Sequence, residues 1–169
     1  DVVIVGAGMA GLMCAYYCVQ ADLSVAIVHH GDVEHSSSSY AQGGIAASWS
    51  DDDSTDRHAS DTISAGAGLC IKDVVDMFTQ KSTNMIQLLI DLGVPFDRDN
   101  QQDFCLAKEG AHSCSRIFYV KDFTGQAIVK TLLNHLHNHE LITWVNATLD
   151  GLAIGIGAKG DFGNDSYAK

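Results

Sequence analysis

Positive charge is scarce in this sequence: ten lysines and arginines stand against 21 aspartates and glutamates, a formal net charge of −11. Nucleic acid and anionic membrane surfaces draw proteins in through cationic side chains, so neither is expected as a partner. An anionic ligand would have to be held by local donors such as backbone N–H groups. No apolar run reaches the roughly 18 residues that span a bilayer, and no signal peptide precedes the first strand. The five cysteines are an odd count without a C-x-x-C pair, which disfavours disulfides and zinc and fits a reducing, cytoplasmic setting. Cys14 and Cys18 are expected as small buried hydrophobes. There is no Walker A loop, no Ser/His/Asp or Cys/His nucleophile arrangement and no internal repeat. Proline occurs once, at Pro95, and arginine only at Arg57, Arg98 and Arg116.

What is present is concentrated at the start, DVVIVGAGMAGL. Val2 to Val5 form a β-branched run of the kind that fills a parallel-sheet strand buried on both faces. Gly6, Gly8 and Gly11 follow at G-x-G-x-x-G spacing, and a helix is expected from about Met9 to Ala21. Gly6 permits the sharp turn, Gly8 lets a pyrophosphate approach the backbone, and Gly11 lets helix and strand pack closely. The free amides and partial positive charge of the helix start would then hold phosphates. Ser24 to Val28 is the second strand of a β-α-β unit. An acidic residue commonly ends that strand and binds a ribose hydroxyl. His29 and His30 stand there instead, as ribose or phosphate contacts or as two surface histidines.

His35 to Ala47 reads HSSSSYAQGGIAA. Four serines and a glycine pair suit neither a helix interior nor an ordinary strand. They offer small donors and a backbone free of bulk, against which a flat polar ligand can lie. The S-S-x-Y-A-Q-G-G-I-A-A pattern after an N-terminal G-x-G-x-x-G resembles the flavoprotein family of L-aspartate oxidase, succinate dehydrogenase and fumarate reductase. The resemblance implies an α/β, Rossmann-like FAD-binding domain with a parallel central sheet. It implies that Gly6, Ala7, Gly8, Met9, Ala10 and Gly11 hold the pyrophosphate. Ser37, Ser38, Ser39, Tyr40, Ala41, Gln42, Gly43 and Gly44 would line the flavin, with His30 near the adenosine. Membrane-bound succinate dehydrogenases carry a histidine that bonds covalently to FAD. Ser37 occupies that position here, which implies non-covalent FAD.

Asp51 to Asp56 is expected as a solvated acidic patch and helix start. Asp61 to Gly68 (DTISAGAG) also resembles the family. Lys72 to Leu92 has the spacing of an amphipathic helix, with Val74, Phe78, Met85, Leu88, Leu89 and Leu92 packing on the dinucleotide core and Gly93 as its C-terminal cap. Glu109, Gly110, Ala111, His112, Ser113, Arg116 and Ile117 follow the family's E-G-G-H-S-x-x-R-I, with Asp122, Thr124 and Gly125 as its later D-x-T-G. Ala111 replaces a glycine and would strain the turn if φ there were positive. Glu109 is the residue assigned to substrate: a carboxylate here can meet the ammonium group that distinguishes aspartate from succinate. Thr124 is expected to cap a helix from Gly125 to about Asn138, with Ile128, Leu132, Leu133 and Leu136 as its apolar stripe. His135, His137 and His139 recur at a spacing that spreads them round a helix, so no metal is expected. Leu141 to Val145 and Leu149 to Ile156 read as strands, and Gly157 to Lys169 matches no motif.

The chain starts at Asp1 on a strand and ends without an obvious stop, which suggests the N-terminal part of a FAD-binding domain whose capping domain lies elsewhere. The resemblance implies FAD-dependent oxidation of L-aspartate to iminoaspartate, with dioxygen or fumarate as acceptor. Iminoaspartate feeds quinolinate and NAD synthesis, which makes quinolinate synthase a partner to consider. None of the three arginines matches a family catalytic arginine, so these residues alone are expected to be inactive. Three alternatives stand beside this reading: a soluble fumarate reductase or succinate dehydrogenase flavoprotein, a nucleotide-holding module without turnover, and a nicotinamide-dependent dehydrogenase.

Overall fold

A computed structural model describes residues 1–151. The elements are β1 (Val2–Val5), α1 (Met9–Gln20), β2 (Val25–His29), β3 (Ile45–Ala46), α2 (Thr55–Ala65), α3 (Lys72–Asp91), β4 (Leu106–Ala107), β5 (Ile117–Phe118), α4 (Thr124–Leu136) and β6 (Ile142–Asn146). The first three match the expected β-α-β unit to within a residue at each end. β1, β2 and β6 form a parallel sheet in the order β1-β2-β6, with Val2 opposite Val25 and Val25 opposite Ile142. A second, antiparallel sheet has the order β3-β5-β4, with Phe118 between Ile45 and Leu106.

Helices α1 and α4 pack together on one face of the parallel sheet. Leu12, Ala15 and Val19 from α1 meet Ile4 and Ile27 from the strands and Ile128, Leu132 and Leu136 from α4, all buried. Each Leu, Ile or Val among them contributes about 1.5–3 kcal/mol when removed from water. The same core continues into an aromatic group: Phe118 lies 5.3–5.4 Å, ring to ring, from Trp49, Phe96 and Phe104. Gly93, at φ +95°, ends α3 and turns Val94 and Phe96 into this cluster.

Several expectations are corrected. Among the described residues β1 lies at the edge of its sheet and is covered on a single face, so only Ile4 is buried while Val3 and Val5 are 68% and 56% exposed. Cys14 is exposed, whereas Cys18 is half-buried and packs against the core. The apolar face of α3 reaches the core through Ile86 and Leu89, but Val74 and Phe78 near its start are exposed. Thr124 is the first residue of α4 rather than its cap, and its hydroxyl accepts a 3.0 Å hydrogen bond from the Val120 amide. Residues 149–151 carry no strand. The remainder of the Leu149–Ile156 strand and the Gly157–Lys169 tail lie outside the described residues.

Candidate functional site

The parallel sheet delivers Gly6, at φ +105°, to the turn into α1. The Gly6 amide still bonds to the Val28 carbonyl at 2.8 Å, so the turn begins inside the sheet. A Cβ on Gly11 would lie 2.0 Å from the Gly6 carbonyl oxygen. Glycine at that position is therefore what lets the helix leave so close to its strand. Among the described residues, the amides of Ala7, Gly8, Ala10 and Gly11 have no hydrogen-bond partner. A strand-end turn thus feeds a helix whose first donors are open, the arrangement that holds phosphate groups.

The serine segment folds against this turn. Its backbone makes two tight turns, with Ser39 N on Ser36 O at 2.9 Å and Ala41 N on Ser38 O at 3.3 Å. Ser38 Oγ accepts the Met9 amide at 3.1 Å, and a Cβ on Gly8 would stand 3.2 Å from that oxygen. The two glycine-bearing turns therefore meet at Ser38. The start of α4 locks the far side: the Gly125 amide donates to Ala41 O at 3.0 Å, and a Cβ on Gly125 would strike Ser38 O at 1.9 Å.

Two clefts flank the junction. One, of about 490 Å³, is lined by Gly6, Ala7, Gly8, His30, Ser37 and Ser38, together with the ends of β1 and β2. The other, of about 310 Å³, is lined by Met9, Ala41, Gln42, Gly43, Gly44 and Gly125. Their sizes fall in the range of cofactor sites. With open amides in one cleft and a side-chain-poor wall in the other, the residues present fit a dinucleotide. Four of the residues assigned to the cofactor, Ala10, Gly11, Ser39 and Tyr40, line neither cleft. Ser39 is buried and its hydroxyl lies 3.0 Å from Ser36 Oγ, while Tyr40 is exposed and its hydroxyl lies 2.7 Å from His35 Nδ1. Both hold the loop's shape. His30 Nδ1 lies 3.1 Å from Thr148 Oγ1 at the edge of the larger cleft.

Glu109 stands on an exposed turn just after β4, and its carboxylate makes no hydrogen bond or ion pair among the described residues. It lines neither cleft. Ala111 has no positive φ, so alanine sits there without strain. Behind the turn lies a group that sequence reasoning missed. Arg116 is wholly buried and grips Asp53 with Nε and Nη2, both at 2.9 Å, and Asp61 with Nη1 at 2.7 Å. Asp53 is therefore not part of a solvated patch: its side chain is fully buried because a guanidinium 63 residues away neutralises it. Asp61 also accepts the Ser113 amide at 2.7 Å and hydroxyl at 2.8 Å. The Ser113 amide foremost, then its hydroxyl and Arg116, hold the Asp61 carboxyl well below the usual carboxylate range against the opposing effect of burial. Burial pushes Asp53 up, but the hydrogen bonds from Arg116, Cys114 and the Ser54 amide outweigh it and leave it lowered. His58, beside them, is lowered by burial and by the Arg116 charge. The one local sign of this network is an arginine opening the apolar run Ile117 to Val120.

No helix among the described residues is long and apolar enough to cross a membrane. His135, His137 and His139 make separate contacts, with the Leu92 carbonyl, the Trp144 ring and the Leu141 amide.

Comparison with known proteins matches residues 1–163 to the family described as FAD binding domain. The chain is 38% identical over 148 residues to an L-aspartate oxidase of Vibrio cholerae, a match covering 85% of this chain and 28% of that protein. It is 41% identical over 140 residues to one of Pseudomonas aeruginosa, covering 79% and 26%. Among solved structures, the E. coli quinol fumarate reductase FrdA superposes with a TM-score of 0.82 at 31% identity, over 85% of this chain and 25% of that one. The chain thus spans about a quarter of the length of the relatives it matches.

Proposed function

The chain belongs to the family of FAD binding domains, and from that premise we propose that it is the flavin-holding N-terminal part of an L-aspartate oxidase. The observation that carries the reading is the junction at Ser38, where the open amides of one glycine turn meet the bare backbone of the other. Ala7, Gly8, Ala10 and Gly11 would donate to the diphosphate, which suits a chain of net charge −11 that cannot offer a cationic surface. Ser37 and Ser38 would face the same groups, and Ala41 to Gly44 would let the ring system lie against the main chain. When bound, FAD supplies the acceptor for a hydride from the substrate Cα, which converts L-aspartate to iminoaspartate as the amino group loses a proton. Dioxygen or fumarate then takes up the electrons. Glu109, exposed and without an internal partner, would meet the substrate ammonium.

The curated relatives named L-aspartate oxidase support aspartate as substrate, while the FrdA likeness keeps a fumarate reductase-type enzyme as the second reading. Bleaching of the flavin band of the full-length protein under anaerobic conditions separates them. Rapid bleaching by L-aspartate and little by succinate is expected, and the reverse order would sink the aspartate reading. All three arginines are engaged within the chain: Arg57 on the Asp52 carbonyl, Arg98 3.6 Å over the Phe104 ring, and Arg116 in its buried network. Substrate carboxylates would be gripped by a capping domain outside these residues, so residues 1–169 alone should yield no aspartate-dependent peroxide. A cytoplasmic setting, in line with five free cysteines, and hand-over of iminoaspartate to quinolinate synthase for NAD synthesis belong to the same reading.

A further inference from the structure

We propose that Asp61 is a positioning residue for Glu109, acting through Ser113. The proposal rests on the reading of Glu109 as the carboxylate that meets the substrate ammonium.

The turn that carries Glu109 has little to hold it. It is exposed, and Gly110 has nothing within 4 Å of where a Cβ would stand. Its internal ties are two: the His112 amide on the Glu109 carbonyl and the Lys108 ammonium on the Ser113 carbonyl, both 3.0 Å. The His112 ring packs edge-on to His58, 6.4 Å away, and the hydrogen-bonded tie to the rest of the molecule is Ser113, whose amide and hydroxyl both end on the same Asp61 oxygen. Asp61 is on α2, so these bonds span 52 residues and fasten the turn to a helix. That anchor is itself rigid. Arg116 binds the same Asp61 oxygen and, through the other side of its fork, Asp53 just ahead of the Ser54 cap of α2. The Arg116 backbone is stitched between strands, its amide to Ala107 O at 3.1 Å and its carbonyl to the Ala47 amide at 3.0 Å. Two carboxylates and one guanidinium leave a net charge of −1 behind the turn, a sign that favours an ammonium in front of it. A side chain that must meet one charged group gains from a backbone that cannot wander.

The test uses the flavin-loaded full-length enzyme and two reactions, oxidation of L-aspartate and reduction of fumarate, which carries no ammonium. E109Q should raise KM for aspartate by about ten- to a hundredfold, the size of a lost charge-assisted hydrogen bond, and should not raise KM for fumarate, which has no ammonium to lose and is itself an anion. D61N should do the same more weakly, and the E109Q/D61N double variant should be no worse than E109Q, because both act on one interaction. S113A removes a single hydroxyl and keeps the ion pairs, so it decides alone if D61N fails to load flavin. It should show the same selective loss, reversed in S113T. Loss of both reactions together in D61N and S113A, no change in either, or effects that multiply in the double variant would overturn the positioning role. If E109Q leaves aspartate oxidation untouched, the reading of Glu109 falls and this proposal with it, whatever Asp61 does.

Discussion

Two regions of the molecule handle charge in opposite ways. Around Gly6 to Gly11 the chain offers only backbone: open amides, no acidic or basic side chain in the first turn of α1, and a glycine, Gly11, where a Cβ would collide. Around Arg116 it buries two charged side chains fully, Arg116 and Asp53, and a third, Asp61, in part, and satisfies them with one another and with Ser113. A ligand can take up the first set of donors because nothing inside the chain competes for them. The second set is spent internally, so it serves as scaffold, and the exposed Glu109 turn hangs from it. An acidic protein can thus hold an anion at one place and present a lone carboxylate at another.

The contrast breaks most severely at Arg116. Arg116→Met would leave the fully buried Asp53 without its counter-charge, a loss of about 3–5 kcal/mol. Chemical denaturation of the full-length protein should read it. A loss under about 1 kcal/mol would show the network to be dispensable. The backbone region is tested by Gly11→Ala against Gly43→Ala. The first places a Cβ 2.0 Å from Gly6 O, and the second places one where nothing lies within 4 Å. Overpacking of the first kind costs about 1–3 kcal/mol, so Gly11→Ala should lower the melting temperature and shed flavin while Gly43→Ala keeps its melting temperature. Equal behaviour of the pair would remove the close-packing role given to Gly11.

These two regions also divide what the sequence could tell. The β1–α1–β2 unit, α4 and β6 were legible to within one or two residues. Their signals are local: a β-branched run, three glycines at fixed spacing, an apolar stripe at helical period. The junction at Ser38 was legible in the same way, as two small-residue segments that suit one ligand. The Arg116 network was not, because Asp53, Asp61 and Arg116 come together only through tertiary folding, across 55 and 63 residues. The two-residue strands β3, β4 and β5 are too short to show a period of two. The exposure of Val3, Val5 and Phe78 was hidden for a related reason: apolar pattern says which face seeks cover, not what supplies it.

Acid should separate the two regions further. His58 has a lowered pKa in the fold, so the unfolded chain takes up its proton first. The stability this neutral imidazole lends is complete above about pH 6.5, the unfolded value, and is lost as pH falls toward the folded one. Asp53 and Asp61 are lowered as well. Their share is complete above about pH 4 and drains away only below it as the folded carboxylates protonate. Stability against denaturant should therefore decline in two stages, and His58→Asn should flatten the slope between pH 7 and pH 5. An unchanged slope in that variant would assign the first stage to another group.

The finest test is at Ser38, where the backbone region borrows one side chain. Its hydroxyl oxygen accepts from Met9 N at 3.1 Å, which leaves the hydroxyl hydrogen to donate outward into a cleft that Gly6, Ala7 and Gly8 share. Ser38→Ala strips both bonds. Without flavin the loss is one hydrogen bond at a helix end where water can replace it, about 0.5–1.5 kcal/mol. With flavin the diphosphate also loses a donor, so the dissociation constant should rise by about tenfold, the equivalent of roughly 1.4 kcal/mol. If affinity instead holds or improves, the Met9 amide must have passed to the phosphate in place of the missing hydroxyl. Ser38 would then be a plug in the helix N-terminus and not a flavin contact.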